Sequence, residues 1–260
     1  MLRAAAFFCT CFISVSQNAE KSWFGSGHLY DENLHLSRQG KHFTVYNAVD
    51  VNRIRQIKES VNLSEARSKL EIPATGFIFG AVSRLRYEKG IDILVRAFTE
   101  LVKEEIDVHL LIIGTGPDET ALKNLVSDFQ ITKNVTFFGE ANWEQAMEQM
   151  AIMDVVVVPS RFEGFGLTAA EAMSMGKAII TTSVFGLVEV VGNTGILVEP
   201  NEIKTLTNAM KEIYQNLNLR MDLGFNGSIR AGKLFDNNIY YCKTKILYQN
   251  IAKDKINLYI

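Results

Sequence analysis

The sequence predicts an α/β protein built on a doubly wound parallel sheet that begins near residue 43. Short, nearly continuous apolar runs alternate with segments in which apolar residues recur at helical spacing. Strands that alternate with helices of about ten residues indicate βαβ units. Because the strands are apolar along their whole length, we expect helices to cover both faces of the sheet.

The composition excludes several other classes of protein. The 260 residues are 47% hydrophobic and 22% charged, which is typical of a globular chain rather than a disordered or coiled-coil one. The net charge of −2 provides no basic excess, so we expect no nucleic-acid partner. The three cysteines make neither a disulfide framework nor a zinc motif. No apolar run reaches the ~20 residues that a membrane-spanning helix needs.

Residues 1–16 fit two interpretations. A basic residue precedes the apolar run at 4–13, and the small residues at 14–16 resemble a cleavage site, which together outline a secretory signal peptide. The alternative is a buried strand, followed by a helix that Ser16 caps. Residues 21–42 are polar and contain three glycines, so we expect a loop there.

The elements of the sheet follow in order from residue 43. A short strand is expected at 43–46, and residues 51–70 have apolar positions typical of a helical or mixed segment. The apolar runs predict further strands at 77–82, 108–113, 135–138, 154–158, 178–182 and 195–198. Helical spacing and an Asn142/Gln145 capping box predict helices at 90–101, 118–129, from 142, 166–175, 201–215, 219–235 and 237–250.

Sheets of this kind bind ligands at the carboxyl ends of their strands, so the loops after the strands are candidate sites. Arg84 and Lys89 follow the strand at 77–82, the second of them at the start of the next helix. An arginine fork and a lysine ammonium beside helix amides suit a diphosphate, although the same pair also fits a charged, solvated loop. Gly114 and Gly116 lack the rest of a dinucleotide or P-loop motif, so we expect only a tight turn there.

The loop after the strand at 154–158 contains the most candidate ligand-binding residues. Two glycines flank Phe165 directly before a helix, so that backbone amides and a helix N-terminus can approach a phosphate. Glu163 and Glu171 lie eight residues apart and can frame one pocket, where carboxylates accept hydrogen bonds from sugar hydroxyls. A carboxylate near the reacting carbon also favours an oxocarbenium-like transition state. The alternative is a glycine-rich helix start with one exposed glutamate.

The histidines and aspartates predict no metal site. His28, His35, His42 and His109 show no metal-binding spacing, and the Asp-x-Asp pair that holds a divalent metal in some transferases is missing. His109 lies inside an apolar strand, which favours a core histidine with its hydrogen bonds satisfied.

In this order, these residues resemble the family-4 retaining glycosyltransferases of the GT-B architecture. The likeness runs from about Ile13 to the C-terminus and includes the turn at 46–50, the segments at 113–117 and 135–139, and residues 186–198. Each piece is weak alone, but the ordered set is specific. The resemblance implies transfer of a sugar from a nucleotide-diphosphate donor, with retention, with no cofactor and without a required metal.

The resemblance also implies a role for each candidate residue. Arg84 and Lys89 match the positions that bind the donor diphosphate, and Glu163 matches the catalytic glutamate that contacts sugar hydroxyls beside the reacting carbon. The other donor-binding positions that it implies are Ala141 beside the base, the backbone of Phe165, Gly166 and Leu167 beside the sugar and phosphates, and Glu171 at the ribose hydroxyls.

The chain departs from the family pattern in two residues and in extent. Ser83 and Ala48 stand where the family usually has glycine. The family fold has two Rossmann-like domains, and the acceptor site lies mostly in the first. We therefore interpret residues 1–42 as a remnant of the acceptor domain and linker, and 43–260 as the donor-binding domain with a C-terminal crossover helix. We therefore expect a truncated gene product, a fragment or a misplaced start, in which the apparent signal peptide is the last strand of the missing domain, and residues 1–40 should pack poorly on the sheet.

The predicted function is that of a glycosyltransferase in cell-envelope polysaccharide synthesis. The expected partners are a nucleotide sugar and a glycan or lipid-linked glycan acceptor, and the expected location is the cytoplasm, at the inner face of the membrane in peripheral contact. An uncovered apolar face of the C-terminal helix predicts self-association. The alternative is a truncated, inactive module that binds nucleotide sugar. The Arg84/Lys89 and Glu163/Glu171 pairs argue against a third class, the GT-B epimerases and phosphorylases.

Overall fold

A computed structural model describes residue 9, residues 11–73 and residues 75–257 of the chain. The strands are β1 (Phe12–Ser14), β2 (His42–Thr44), β3 (Phe77–Val82), β4 (Val108–Ile113), β5 (Val135–Gly139), β6 (Val155–Val158), β7 (Ala178–Thr182) and β8 (Ile196–Val198). The helices are α1 (Gln17–Phe24), α2 (Leu36–Gln39), α3 (Val51–Ser60), α4 (Leu63–Lys69), α5 (Ile91–Lys103), α6 (Glu119–Asp128), α7 (Trp143–Ala151), α8 (Leu167–Ser174), α9 (Phe185–Val191), α10 (Ile203–Gln215), α11 (Leu217–Leu234) and α12 (Asn237–Asn257). In these residues no helix has the length and apolar character needed to cross a bilayer.

Six of the strands form the predicted doubly wound parallel sheet. Their order is β5-β4-β3-β6-β7-β8, and every neighbouring pair is parallel. The chain builds outward from β3 to β5, then returns to the other side of β3 with β6. The order of the strands therefore reverses between β3 and β6, and the helices that follow these two strands, α5 and α8, lie on opposite faces of the sheet. A crevice at such a reversal is where this class of sheet binds ligands.

Helices cover both faces of this sheet, as the continuous apolar strands predict. Ile78 faces a core that contains residues of α3, α7 and α8. The next residue along β3, Phe79, faces a second core that contains residues of α5, α6 and α10. Successive side chains of a strand point to opposite faces, so a strand between two helical layers needs apolar residues at every position.

The predicted strand at 43–46 forms, but it lies outside the six-stranded sheet. β2 pairs in parallel with β1, from Phe12 beside His42 to Ser14 beside Thr44, in a separate sheet of two strands. The strand interpretation of the N-terminal run is confirmed for residues 12–14, and Ser16 caps α1 as predicted by accepting from the Ala19 amide. Residues 1–8 and 10 of the proposed signal peptide lie outside the described residues.

The expectation that residues 1–40 pack poorly is wrong for the segment around α1. The Ser16 hydroxyl donates to the Gly164 carbonyl at 2.8 Å, and the amides of Gln17 and Asn18 donate to the Glu189 carboxylate at 2.9 and 3.1 Å. The first amides of a helix have no partner within it and attract negative charge, which explains why Glu189 anchors α1. The predicted loop at 21–42 also contains the end of α1 and the single turn of α2.

Part of the apolar face of the C-terminal helix is covered by other residues of the chain. Leu247 of α12 is fully buried in a small core with Tyr30 and Phe43. Tyr241 and Tyr248 remain 67% and 62% exposed. The uncovered apolar face expected for this helix is therefore present only in part, because residues 30–45 occupy the rest.

Candidate functional site

Two loops at the reversal point of the sheet pack directly on each other. The first runs from the end of β3 to Gly90, and the second from the end of β6 to Gly166. The amide of Arg161 in the second loop donates to the Glu88 carbonyl in the first at 2.8 Å. Gly90 has a φ of +66°, and a Cβ there would lie 2.0 Å from the Pro159 carbonyl oxygen. Only glycine permits this approach of the two backbones.

An arginine that the sequence analysis did not single out clamps the same loops. Arg161 forms a two-pronged ion pair with Asp92 at the start of α5, with both nitrogen–oxygen distances 2.8 Å. Its guanidinium also stacks 4.0 Å from the centre of the Tyr87 ring. Burial tends to raise the pKa of Asp92, but the Arg161 hydrogen bond and charge outweigh it, and the pKa is lowered. Arg161 therefore holds the first loop in place rather than facing an open pocket.

Lys89 and Glu163 meet where the two loops join. The Lys89 Nζ lies 2.7 Å from the Glu163 Oε2, with 26% and 19% of the two side chains exposed. The resemblance assigns these residues to neighbouring parts of one donor, the diphosphate and the sugar. The structure brings their side chains into direct contact.

Arg84 lines a groove of about 310 Å³ at the ends of β3, β4 and β5. Its side chain is exposed, and within the described residues the guanidinium makes no ion pair or hydrogen bond. Ala141, the position matched to the base, lies in the same groove. The other lining residues are Val82, Ser83, Ile113, Gly114, Thr115, Glu140, Ala146 and Thr168.

The two glycines after β4 form the predicted tight turn and shape one wall of this groove. Gly114 has a φ of +121°, and a Cβ there would lie 2.0 Å from the Ser83 carbonyl oxygen. The Leu85 amide donates to the Thr115 carbonyl at 2.9 Å. These contacts draw the turn against the loop after β3, so that Ser83 and Thr115 line the same groove.

Gly166 sets the start of α8. It has a φ of +101° and precedes Leu167, the first residue of the helix. The first amides of α8 have no partner within the helix and form an anion-binding end. The Phe165 ring is buried against Tyr46 and Phe235, so the backbone of Phe165 is the part of it available to a ligand. Leu167 is 45% exposed.

Glu171 lies one turn into α8 and is held by a tryptophan that the sequence analysis missed. The Trp143 indole Nε1–H donates to the Glu171 Oε1 at 2.8 Å. Burial raises the pKa of Glu171, and this hydrogen bond opposes the rise. The predicted capping box fixes the start of α7, with Asn142 and Gln145 bonded reciprocally at 2.9 and 3.0 Å. Trp143 directly follows that cap, which is the signal that places it at this edge of the sheet.

His109 is a core residue, as predicted. It is 6% exposed in β4, and its Nε2 lies 2.8 Å from the Thr136 hydroxyl. Burial lowers the pKa of His109, which favours the neutral ring. The spacing of the histidines along the chain does not reveal that His28 and His42 approach each other in the fold, with ring centres 5.8 Å apart.

Most of the chain matches a protein-family model. The model described as "Glycosyl transferases group 1" matches residues 63–230, which include both loops, the groove and α8. A similar curated protein is the "Capsular polysaccharide biosynthesis glycosyltransferase CapM" of Staphylococcus aureus, 26% identical over 258 residues. That match covers 98% of this chain and 65% of CapM. The chain thus spans less than two thirds of this relative's length.

Solved structures share the architecture. Sucrose-phosphate synthase from Thermosynechococcus elongatus superposes with a TM-score of 0.78 at 27% identity, covering 94% of this chain and 59% of that one. Anabaena HepE, solved in complex with UDP and glucose, superposes with a TM-score of 0.77 at 22% identity, covering 95% and 64%. At the identity of HepE the likeness shows a shared fold.

Proposed function

The chain belongs to the group 1 glycosyl transferases, and from that membership we propose that it binds a nucleotide-diphosphate sugar and serves in its retaining transfer to an acceptor. Residues from about 43 onward form the proposed donor-binding domain. A curated relative named for capsular polysaccharide biosynthesis supports a role in cell-envelope polysaccharide synthesis. The proposed acceptor is a glycan or lipid-linked glycan, met at the inner face of the membrane, and the proposed transfer needs no metal.

The observation that supports a nucleotide-diphosphate donor is the set of charges at one edge of the sheet. Arg84 and Thr168, which lies in the first turn of α8, line one groove, and Lys89 lies at the end of the loop that begins after β3. Guanidinium groups, ammonium groups and helix amides are the partners that phosphates prefer. Two carboxylates, Glu163 and Glu171, lie beside them for hydroxyl groups of the sugar and ribose.

In the proposed reaction the cations stabilise the leaving group. Negative charge develops on the diphosphate as its bond to the sugar breaks, and donors already fixed in position stabilise that charge without reorganising. The proposed hydrogen-bond donors to the diphosphate are the side chains of Arg84 and Lys89 and the first amides of α8. Because the Lys89 ammonium has three N–H groups, it can contact a phosphate and still donate to Glu163.

Glu163 is the proposed catalytic residue. As the bond to the leaving group breaks, the sugar acquires positive charge at its reacting carbon, and a nearby carboxylate stabilises that charge. The contact with Lys89 orients the Glu163 carboxylate before the donor binds. In the same proposal Glu171, held by Trp143, accepts from the ribose hydroxyls, and the backbone near Ala141 contacts the base.

A second candidate function is donor binding without transfer. The chain spans 65% of CapM, and transfer also requires an acceptor held close to the reacting carbon. Transfer by these residues alone therefore needs its own test. Calorimetric titration with UDP, UDP-glucose, GDP and GDP-mannose measures donor binding, and transfer of radiolabelled sugar to acceptors measures turnover. Binding with turnover supports the first function, binding alone supports the second, and no binding of any nucleotide contradicts both.

A further inference from the structure

A cluster outside the donor site joins two histidines to one buried carboxylate. Glu20 on α1 is fully buried, His28 follows α1, and His42 begins β2. The His42 Nδ1 lies 2.6 Å from the Glu20 Oε1, and the His28 Nδ1 lies 3.5 Å from the same oxygen. One nitrogen or oxygen atom from each of the three side chains lies within 4.8 Å of the other two.

The Glu20 carboxylate needs a positive charge nearby. Its Oε2 accepts from the Thr44 hydroxyl at 2.7 Å and from the His28 amide at 3.0 Å, which are both neutral donors. Among the described residues its ion-pair partners are the two histidines, and no lysine or arginine contacts it. A buried ionised carboxylate is stable only when it is paired with a cation or coordinates a metal.

The hydrogen bonds of His28 determine which nitrogen can act as a ligand. Its Nε2 lies 2.8 Å from the Gln39 carbonyl oxygen, which can only accept, so the Nε2 holds a proton. In the neutral ring the lone pair then lies on Nδ1, the nitrogen that faces Glu20. A lone pair and a carboxylate oxygen at 3.5 Å repel each other, and a cation between them removes the repulsion.

The carbonyl that orients His28 is itself fixed. The Gln39 side chain is buried, accepts from the Asp31 amide at 2.8 Å, and donates to the carbonyls of Asp31 and Leu34 at 2.8 and 2.9 Å. Histidines that bind metals usually donate their other ring N–H to a carbonyl or carboxylate, which fixes the ring and its tautomer. The Nε2 of His28 has that arrangement with the Gln39 carbonyl.

We propose that Glu20, His28 and His42 form a structural binding site for a divalent transition metal ion, with Zn²⁺ as the preferred ion. Two imidazoles and one carboxylate are ligands that suit Zn²⁺, whereas Mg²⁺ and Ca²⁺ prefer oxygen ligands alone. The His28 side chain is 43% exposed, which gives the ion an entry path and leaves room for a water as fourth ligand. The ion ties α1 to β2, and α1 contacts the donor-site loop through Ser16 and Gly164.

The test is Zn²⁺ titration of the full chain by calorimetry. The three cysteines are changed to serine in every sample, because Cys9, Cys11 and Cys242 are free thiols that also bind Zn²⁺. The variants are His28→Ala and His42→Ala, and the control is His35→Ala, an exposed histidine of the same segment outside the cluster. Thermal unfolding in EDTA verifies that each variant folds.

We expect the parent and His35→Ala to bind one Zn²⁺, and each ligand variant to bind it at least about tenfold more weakly. Zn²⁺ in excess should raise the midpoint of thermal unfolding of the parent by about 5 °C and leave that of His28→Ala unchanged. Equal binding by His28→Ala and the parent, or no binding by the parent, would overturn the proposal. If His42→Ala does not fold, the comparison of Zn²⁺ binding by His28→Ala and the parent decides the result, because His28 is partly exposed.

Discussion

Lys89 and Glu163 form an ion pair across two loops that follow neighbouring strands of the sheet, with the ammonium nitrogen 2.7 Å from the carboxylate oxygen. The two residues lie 74 positions apart in the sequence, and the order β3-β6 brings them together. In the proposed donor complex the diphosphate and Glu163 share one ammonium group. The pair therefore links phosphate binding to the position of the catalytic carboxylate.

This sharing predicts opposite effects at the two residues. Lys89→Met should weaken UDP or GDP binding by about ten- to a hundredfold, because a charge-assisted contact is lost. Glu163→Gln keeps the size of the side chain but removes its negative charge, so that the ion pair with Lys89 is lost. Its affinity for the nucleoside diphosphate should be unchanged or a few fold higher, while sugar transfer falls. Calorimetry measures both variants, and a large loss of UDP and GDP affinity in Glu163→Gln would contradict the sharing.

Arg84 should contribute to phosphate binding more than its neighbour Arg86. Arg84 lines the groove with Ala141, whereas Arg86 lines a separate cavity beside Asp118. We expect Arg84→Ala to weaken nucleoside diphosphate binding about tenfold or more and Arg86→Ala to leave it near the parent value. Equal losses in the two variants would show a general effect of positive charge on the loop rather than a site.

Trp143 should set the pH range in which the ribose is bound. Burial raises the pKa of Glu171, and the Trp143 indole opposes that rise. The ionised carboxylate accepts from the ribose hydroxyls, so its contribution to affinity is retained above its pKa and is lost as the pH drops through that pKa. Trp143→Phe removes the indole donor and should move this fall to higher pH. Titrations with UDP from pH 4 to 8 measure the shift, and 2′-deoxy-UDP, which lacks one hydroxyl, should show a smaller dependence.

The glycines of the β6 loop should differ in their tolerance of a side chain. Gly166 has a φ of +101°, and a Cβ there would lie 2.5 Å from the Leu187 Cδ2, whereas a Cβ at Gly164 meets no atom within 4 Å. Gly166→Ala should destabilise the fold by about 1–3 kcal/mol, and Gly164→Ala by much less. Chemical denaturation measures both, and equal stability of the two variants would contradict the conformation given for α8.

Lys177 should make stability depend on pH in the alkaline range. Its ammonium donates to the carbonyls of Ala151 and Met153, each at 2.6 Å, and burial lowers its pKa from 10.5 to about 8. Between these values the folded state binds fewer protons than the unfolded state, so the free energy of unfolding rises with pH. Lys177→Met should reduce this rise. A parent and variant with parallel pH profiles from 7.5 to 10.5 would exclude the role of Lys177.

The fold could be predicted from the sequence where one local pattern determines the outcome. An apolar run such as 77–82 fits a strand of a parallel sheet that is covered on both faces. The capping box of Asn142 and Gln145 depends only on two residues three positions apart. Helix α9 could not be predicted, because its short sequence is rich in valine and has Glu189 as its one charged residue, so no polar face marks it as a helix. Its helical form depends on packing against neighbouring elements.

The candidate site could also be predicted only in part from the sequence. The sequence locates the ends of the strands, and therefore also the segments after them that contain the candidate residues Arg84, Lys89, Glu163 and Glu171. The Lys89–Glu163 contact depends on strand order, and the approach of His28 to His42 depends on the backbone pairing of the segment 28–30 with Thr44. Strand order and pairing arise from contacts between distant residues, so spacing along the chain does not reveal them.

The most direct test of the proposed donor site is a crystal structure of the chain with UDP or GDP. We expect the diphosphate within hydrogen-bond distance of the Lys89 Nζ, the Arg84 guanidinium and the first amides of α8. We also expect the ribose at Glu171 and the base near Ala141. A nucleotide bound elsewhere on the chain, with Lys89 and Arg84 free of phosphate, would contradict the proposed donor site.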